Sequence, residues 1–282
     1  MRRVAAILLC IFAICAVSVA APEITIEARG IPAGENLIVN PGFEAGTQWP
    51  DGWGWSPNQP PSTIWRVWAD EALSGARSAG VVNTATSASG YWTQDVALEP
   101  GKDYLLTCRA LIEDGTILVR ADGRDADGKP VKAFDRRAFD RRRASHLLAP
   151  TYWKPEWIVD MVRQPWAPVD LFFNTRGDVV PASVSVQIGC YFTAGTMYID
   201  DVYLGPGTIE LSYTVTGAPL AQVRLLDRAG ELQATSGALN GAERYEGKSD
   251  GLPPGEYWCI EATATDGTVS RAWYPEAPEG IE

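Results

Sequence analysis

The sequence is poor in the side chains that most hydrolytic and metal-dependent sites require. It has one histidine, His146, among 282 residues, so any Ser-His-Asp or Cys-His site would depend on that residue alone. It contains no G-x-S-x-G nucleophile turn and no H-E-x-x-H zinc motif. No E-x-D-x-E cluster occurs on a strand-like segment, although acidic residues are plentiful. These absences disfavour an enzyme and leave a carboxylate pair that cleaves glycosides as the catalytic alternative.

Cysteine is scarce once the N-terminal apolar stretch is set aside. Cys10 and Cys15 lie inside that stretch, which leaves Cys108, Cys190 and Cys259. No C-x-x-C pair exists, and this excludes a zinc ribbon. We interpret the three thiols either as ordinary buried cysteines or as including one disulfide between Cys108 and Cys190, because export permits disulfides.

Basic residues are outnumbered by acidic ones. The chain has 24 Lys and Arg against 35 Asp and Glu, for a net charge of −11 at pH 7. A surface of this sign repels nucleic acid and anionic membranes, so we expect neither as a partner. The charge instead favours a neutral ligand.

The longest apolar run stands at the N terminus. Arg2 and Arg3 precede an almost wholly apolar stretch from Val4 to Val17, and Ser18-Val19-Ala20 places small residues where a signal peptidase reads. The pattern predicts a signal peptide over residues 1–20 and a secreted product, extracellular or periplasmic. A membrane anchor is the competing interpretation, but the run is too short to span a bilayer comfortably.

The remainder of the chain reads as short strands bounded by turn residues. Val184 to Ile188 alternates as a half-buried strand does, and Asp127-Gly128 predicts a hairpin turn. We therefore predict an all-β protein: a linker at 21–35, a jelly-roll β-sandwich at 36–206, and a second, smaller β-sandwich at 207–282.

An arginine-rich repeat interrupts this pattern. Ala133-Phe134-Asp135-Arg136-Arg137 is followed at once by Ala138-Phe139-Asp140-Arg141-Arg142. A period of five fits neither a helix nor a strand face, so we expect an exposed loop or a short helix between strands. Its role stays open between a solvated basic segment and a contact site for acidic sugars or a partner protein.

Several motifs follow one another in a fixed order along the large domain. They are Asn40-Pro41-Gly42-Phe43-Glu44, Pro50-Asp51-Gly52-Trp53, Leu73 to Ser78, Gln94-Asp95-Val96 with Glu99 to Tyr104, and Gly195 to Leu204. Together they resemble the galactose-binding-like jelly-roll carbohydrate-binding modules of the cellulose- and xylan-binding type. The segment around Leu252-Pro253-Pro254-Gly255-Glu256-Tyr257 resembles the small immunoglobulin-like or fibronectin-like domains. The resemblance implies a non-catalytic accessory protein that binds a polysaccharide or oligosaccharide.

The resemblance also implies which residues bind the ligand. Sugar rings stack on flat aromatic side chains while polar neighbours read the hydroxyl groups. Tyr91 and Trp92 lie near the position where related modules carry a stacking tryptophan, and Trp153 and Trp157 are the second pair. All four have a core position as their alternative. Arg120 and Asp122 are candidate hydrogen-bonding residues.

A structural calcium ion is implied as well. In these modules it joins the acidic residue of the opening motif to the aspartate of the closing strand, which here are Glu44 and Asp200. Backbone carbonyls near Leu73 and Ala76 would complete the oxygen shell that Ca²⁺ requires. Asp201 is an alternative to Asp200, and turn capping is the alternative role for the pair.

Three functions remain open on the sequence. The first is a secreted carbohydrate-binding accessory protein, which acts with a separate enzyme or envelope protein. The second is a structural or adhesion protein of the cell envelope, in which the aromatic residues are core. The third is a cryptic carbohydrate-active enzyme. Exposed aromatics on one sheet face favour the first, burial of Tyr91 and Trp92 the second, and two facing carboxyl groups the third.

Overall fold

The computed structural model describes residues 20–58, 63–139, 166–176, 180–254 and 256–275. Their secondary structure is entirely β. In this part of the chain no helix is long and apolar enough to cross a membrane. The strands are β1 Glu23–Pro32, β2 Gly54–Pro57, β3 Ile64–Ala69, β4 Ser78–Asn83, β5 Gly90–Ala97, β6 Asp103–Ile112, β7 Ile117–Arg124, β8 Pro130–Phe139, β9 Ala167–Asn174, β10 Ser183–Cys190, β11 Gly195–Thr216, β12 Leu220–Asp227, β13 Leu232–Thr235, β14 Tyr245–Leu252, β15 Trp258–Ala264 and β16 Val269–Tyr274.

The strand order is that of a jelly roll. Sheet A has the order β3-β4-β11-β6-β9, with β1 and β14 also paired to β11, and sheet B has the order β2-β5-β10-β7-β8. The antiparallel pairs β4–β11, β5–β10, β6–β9 and β7–β8 are nested, as in one long hairpin rolled into two sheets. The predicted all-β jelly-roll sandwich is therefore confirmed. The predicted Asp127-Gly128 turn joins β7 to β8, where the Gly128 amide donates to the Asp125 carbonyl.

The core of the jelly roll lies between sheets A and B. Alternate residues of both sheets point inward, and each sheet presents its other face away from the core. The aromatic part of the core is concentrated at β5, where the Phe43 ring lies 4.8 Å from that of Trp53 and 6.3 Å from that of Trp92. The largest fully buried side chains are Trp92, Phe43, Phe134, Ile64, Leu105, Leu106, Ile112, Ile117, Leu118, Ile188, Met197 and Ile199.

The predicted linker at 21–35 is wrong, because residues 23–32 form strand β1. Gly30 in this strand marks a close approach of two strands, because a Cβ there would lie 2.5 Å from Leu105 Cδ1. Gly205, at the predicted end of the jelly roll, is similar. A Cβ on it would collide with the Glu35 carbonyl oxygen, and β11 continues through this position.

The described residues group into two compact units. The larger holds 27–212 and 248–256, and the smaller holds 20–26, Tyr213–Gly247 and the described part of Tyr257–Glu282. The division therefore falls within β11, after the predicted boundary at 206/207. The smaller unit contains sheet C, with the order β13-β12-β15-β16. Its immunoglobulin-like character stays a prediction.

The arginine-rich repeat is not a loop or helix in its described part. Residues 133–139 belong to β8, an edge strand of sheet B. Phe134 points into the core with 2% exposure, whereas Asp135 and Arg137 lie on the opposite face. Arg136 shares the inward side, but at this edge its guanidinium stacks over the Phe134 ring at 4.6 Å. At the edge of the sheet a charged residue can thus occupy an inward position. This breaks the alternation of apolar and polar residues by which a strand is recognised in the sequence.

The three cysteines are buried and free. Cys108 lies on sheet A, Cys190 on sheet B and Cys259 on sheet C. Burial raises the pKa of Cys259 to about 11, so this thiol stays protonated at neutral pH. The interpretation as ordinary buried thiols is confirmed over the alternative with a disulfide.

Candidate functional site

Strand β5 separates the residues of the Tyr91-Trp92 pair onto opposite faces of sheet B. Trp92, Gln94 and Val96 point inward and are buried, whereas Tyr91 and the polar Thr93 and Asp95 point outward. The sequence carried a signal for this arrangement. Val96 is the apolar residue of an alternating run and should face the core. Trp92 lies four residues before it on the same strand and therefore points to the same face.

Trp92 does not form a ligand-stacking surface, and its prediction as a binding residue is wrong. Its side chain is 0% exposed, and its indole N–H donates to the Gly80 carbonyl at 3.0 Å. Phe43, Trp49 and Trp55 surround it. A ring enclosed in this way has no free face for a sugar, so Trp92 is a core residue.

The outward face of sheet B, which we call the outer face, carries polar residues in register across its strands. Gln187 of β10 lies opposite Thr93 on one side and Arg120 on the other. Ser185 lies opposite Asp95 and Asp122 in the next row. Strand β8 extends both rows, because Arg137 pairs with Arg120 and Asp135 with Asp122.

Arg120 fixes the polar rows by hydrogen bonding to three neighbours at once. Its Nε and Nη2 donate to the two oxygens of Asp135 at 2.7 and 2.9 Å. Nη2 also donates to Asp122 at 3.2 Å, and Nη1 to the Gln187 side-chain oxygen at 3.2 Å. The Gln187 amide orientation is thereby set, with its oxygen toward Arg120.

The Asp135 carboxylate of this network stays ionised and partly accessible. Burial alone raises the pKa of Asp135, but hydrogen bonds from Arg137 and Arg120 outweigh it and lower the pKa to about 2. The side chains of Asp122 and Asp135 are 13% and 26% exposed. Arg124 donates a further hydrogen bond to Asp122 at 3.1 Å. Both carboxylates are thus held in place, and Asp135 keeps the larger accessible surface.

An aromatic cluster lies at one end of the outer face. Leu118 and Tyr191 form a small separate cluster, against which Tyr91 and Phe192 pack. Gly189 pairs with Tyr91 on one side and Leu118 on the other, and a Cβ on it would collide with the Gly90 carbonyl oxygen. Burial raises the pKa of Tyr91 to about 12, which keeps its phenol neutral.

The turn that carries Tyr191 and Phe192 is held by a buried amide. Asn83 donates to the carbonyls of Ala88 and Thr193 at 2.9 and 2.6 Å. Phe192 has a φ of 48°, which a bulky residue adopts only at a strain cost. The hydrogen bonds of Asn83 help to hold the turn in this conformation.

A shallow cavity adjoins the outer face at the edge of β5. Its volume is about 430 Å³, and Asp95 belongs to both features. Val39, 61% exposed, forms part of its apolar wall. The cavity extends the surface available to a ligand beyond the row of Asp95, Ser185 and Asp122.

The remaining predicted binding residues are distributed differently. Arg120 and Asp122 lie on the outer face within one network, as candidate hydrogen-bonding residues require. Trp153 and Trp157 lie outside the described residues. Gln187 and Asp135 were missed, because neither belongs to a recognisable motif and the repeat around Asp135 concealed its strand.

Glu44 and Asp200, the predicted calcium ligands, converge on one loop. Glu44 accepts hydrogen bonds from the amides of Ala76 and Arg77, and Asp200 accepts from those of Leu73 and Ser74. Asp200 is 0% exposed, and burial raises its pKa. Gly75 permits the approach, since a Cβ on it would collide with the Glu44 carboxylate.

The loop offers the oxygen ligands that a hard cation prefers, although its two carboxylates also accept hydrogen bonds from backbone amides. Two carboxylates, one of them wholly buried, supply the oxygen ligands that Ca²⁺ prefers, and loop carbonyls would supply others. Within the described residues no group of three His, Cys, Asp or Glu side chains is arranged to hold a metal. Asp201 has a φ of 48° and accepts a hydrogen bond from Ser74 Oγ, so it contacts the same loop.

Comparison with known proteins gives partial likenesses in structure. No family model matches the chain, and no curated protein does. The enzymatically active domain of bacteriophage CBA120 tailspike protein 4 is 16% identical with a TM-score of 0.42, covering 60% of this chain and 21% of its own. TmCBM61, solved with β-1,4-galactotriose, is 19% identical with a TM-score of 0.38, and the match covers 61% of this chain and 99% of TmCBM61. The CBM22-1 xylan-binding domain of Paenibacillus barcinonensis Xyn10C is 14% identical with a TM-score of 0.38, and the match covers 62% of this chain and 96% of that domain. The chain thus spans about a fifth of the tailspike domain.

Proposed function

We propose that this protein binds an oligosaccharide or polysaccharide on the outer face of sheet B. The observation that carries the proposal is the combination on one face of an aromatic cluster and a fixed row of hydrogen-bonding groups. A pyranose ring has an apolar face and a rim of hydroxyls. Tyr91 and Phe192 offer the apolar contact, and Gln187, Asp122 and Asp135 offer partners for the hydroxyls.

The arrangement favours binding without catalysis. Asp122 and Asp135 face each other across β7 and β8, which is the feature an enzyme would need. Glycoside cleavage requires one of two carboxyl groups to hold a proton. Arg120 donates hydrogen bonds to both carboxylates, and a pKa of about 2 makes Asp135 unsuited to the role of proton donor. The proposal therefore predicts binding with no release of reducing sugar.

One observation favours the alternative of a structural or adhesion protein of the cell envelope. Trp92 is fully buried, as that alternative predicts. Tyr91 separates the two functions, because it is only half-buried and lies on the outer face. If the protein is an envelope protein without sugar binding, neither the wild type nor a Tyr91 variant should bind polysaccharide.

The test is binding of the protein to a panel of soluble and insoluble plant and microbial polysaccharides. Tyr91→Ala removes the aromatic contact and is expected to weaken binding roughly tenfold, from an aromatic stacking contribution of about 1–1.5 kcal/mol. Arg271→Gln, on sheet C, is the matched control and should bind like wild type. Absence of binding to every polysaccharide by a folded protein would contradict the proposal.

We further propose that the protein acts after export, next to a separate enzyme or envelope protein. The basic and apolar pattern of residues 1–20 supports this placement. Mass spectrometry of the protein from its native host should find a chain that begins at Ala21. Recovery of the intact N terminus from the cytoplasm would contradict it.

A structural calcium ion at Glu44 and Asp200 is proposed as a support of the sandwich. It would pin the opening motif and the closing strand to the same loop. The melting temperature should rise by about 5 °C in Ca²⁺ over chelator, since a ligand at a hundred times its Kd adds about 2.7 kcal/mol. Glu44→Gln should abolish the increase, and an equal melting temperature in both conditions would refute the site.

A further inference from the structure

A second aromatic region lies at the side of the jelly roll, around Trp92. The rings of Trp49 and Trp55 lie 6.4 and 5.8 Å from that buried ring, and the Arg66 guanidinium lies 5.7 Å from it. Trp49 and Trp55 are half-buried and thus retain accessible surface. This region involves β2 and β3, at the margin of the sandwich, and shares no residue with the outer face of sheet B.

Arg66 stacks on this region without a counter-charge. Its guanidinium carbon lies 4.0 Å from the centroid of the Trp49 ring and 5.7 Å from that of Trp92. In the described part of the chain Arg66 forms no ion pair and donates no hydrogen bond. Stacking occupies the face of the guanidinium and leaves the N–H groups at its edge unused.

Arg77 provides an internal comparison. It also stacks on a tryptophan, with its guanidinium carbon 5.2 Å from the Trp68 centroid, but it forms an ion pair with Asp70. Both arginines belong to a chain with a net charge of −11, in which carboxylates outnumber basic side chains. A carboxylate partner is therefore present for Arg77 and absent, among the described residues, for Arg66.

A half-buried arginine with an unused fork of donors suits a planar anion. A carboxylate accepts two parallel N–H bonds from guanidinium, which fixes its orientation. Burial lowers the pKa of Arg66, as expected for a cation without a neutralising neighbour. A single positive charge in an acidic protein suits a monoanion better than a doubly charged phosphate.

The neighbouring rings determine which kind of carboxylate ligand suits the site. Arg66 and Trp55 both pack on the buried Trp92 ring, and Trp55 retains partly exposed indole surface on which the apolar face of a sugar can pack. We propose that Arg66 and Trp55 form a second binding site, which takes a uronic acid residue of an acidic polysaccharide. The carboxylate binds the Arg66 fork, and the sugar ring packs against the tryptophan.

The test compares two trimers of the same linkage, galacturonic acid and neutral galactose, by calorimetry on the full protein. Wild type should bind the uronate trimer at least tenfold more tightly, and higher salt should reduce the difference. Arg66→Gln should remove the difference, while Arg66→Lys, which keeps the charge without the fork, should retain part of it. Arg77→Gln is the matched control and should retain all of it.

Equal affinity of wild type for the two trimers would overturn the site, as would an undiminished difference in folded Arg66→Gln. A second measurement serves if that variant does not fold. In wild type, the Arg66 Nε–H resonance should shift with the uronate trimer and not with the neutral one; no shift would overturn the site. Asp135→Asn separates this site from the outer face, because it should weaken neutral-sugar binding and leave the uronate preference.

Discussion

Sheets B and C each carry a cross-strand network of arginine and carboxylate side chains. The two networks differ in which of the two groups is the central one. On sheet B, Arg120 is surrounded by Asp122, Asp135 and Gln187. On sheet C the arrangement is reversed, because Glu261 lies between Arg224 and Arg271 in register.

The exposure of the carboxylates follows from this reversal. The Glu261 side chain is 3% exposed beneath arginines that are 40% and 50% exposed. Asp135 keeps 26% exposure. Burial raises the pKa of Glu261, but its two arginine partners outweigh this and lower it. The same chemistry therefore gives a sealed structural ion pair on sheet C and a partly accessible acceptor, Asp135, on sheet B, which is why we assign neutral-sugar binding to sheet B and not to sheet C.

The largest expected effect is on stability, from Glu261→Ala. Loss of the buried carboxylate leaves two arginines facing each other, and the free energy of unfolding should fall by about 2–3 kcal/mol. Polysaccharide affinity should stay within twofold of wild type. Urea denaturation measures the first and affinity electrophoresis the second. Glu246→Ala, which removes an exposed partner of Arg244, is the control and should change stability by less than about 0.5 kcal/mol.

Asp135→Asn is expected to show the opposite pattern. It removes a charged acceptor from the outer face, and polysaccharide affinity should fall roughly tenfold, or about 1.4 kcal/mol. The free energy of unfolding should fall by about 1 kcal/mol or less, because the side chain is partly solvated. A stability loss as large as that of Glu261→Ala, with unchanged affinity, would erase the distinction between the networks.

The smallest expected effect is that of pH between 5 and 9. Asp135 has a pKa of about 2, below its unfolded value, so its stabilising contribution is present above about pH 4 and lost between pH 4 and 2. Tyr91, with a pKa of about 12, stays neutral throughout. Sugar affinity should therefore be constant over this range in isothermal titration. A midpoint near pH 6 would require a titrating group outside the outer face.

The sequence predicted the sandwich better than it predicted the site. Alternation in Val184 to Ile188, the Asp127-Gly128 turn and the order of motifs led to the jelly roll. The boundaries were predicted less well, since residues 23–32 form strand β1 and β11 continues through Gly205.

The site was harder to predict because it depends on register. Trp92 and Tyr91 are neighbours in sequence, and only the burial of Val96 tells which of them faces the core. Asp135 reaches Arg120 across a hairpin whose register shifts between Asp122 and Arg124. Counting from the turn therefore does not reveal the pairing, and the five-residue repeat hides the strand further.

The most direct test of sugar binding on sheet B is a heteronuclear NMR titration with the best polysaccharide fragment from the panel. The account predicts shifts in the Gln187 side-chain amide and in the backbone amides of Tyr91, Arg120 and Asp135, with none in sheet C. Saturating shifts that map to sheet C, or the absence of any shift on sheet B while the sugar binds, would contradict it.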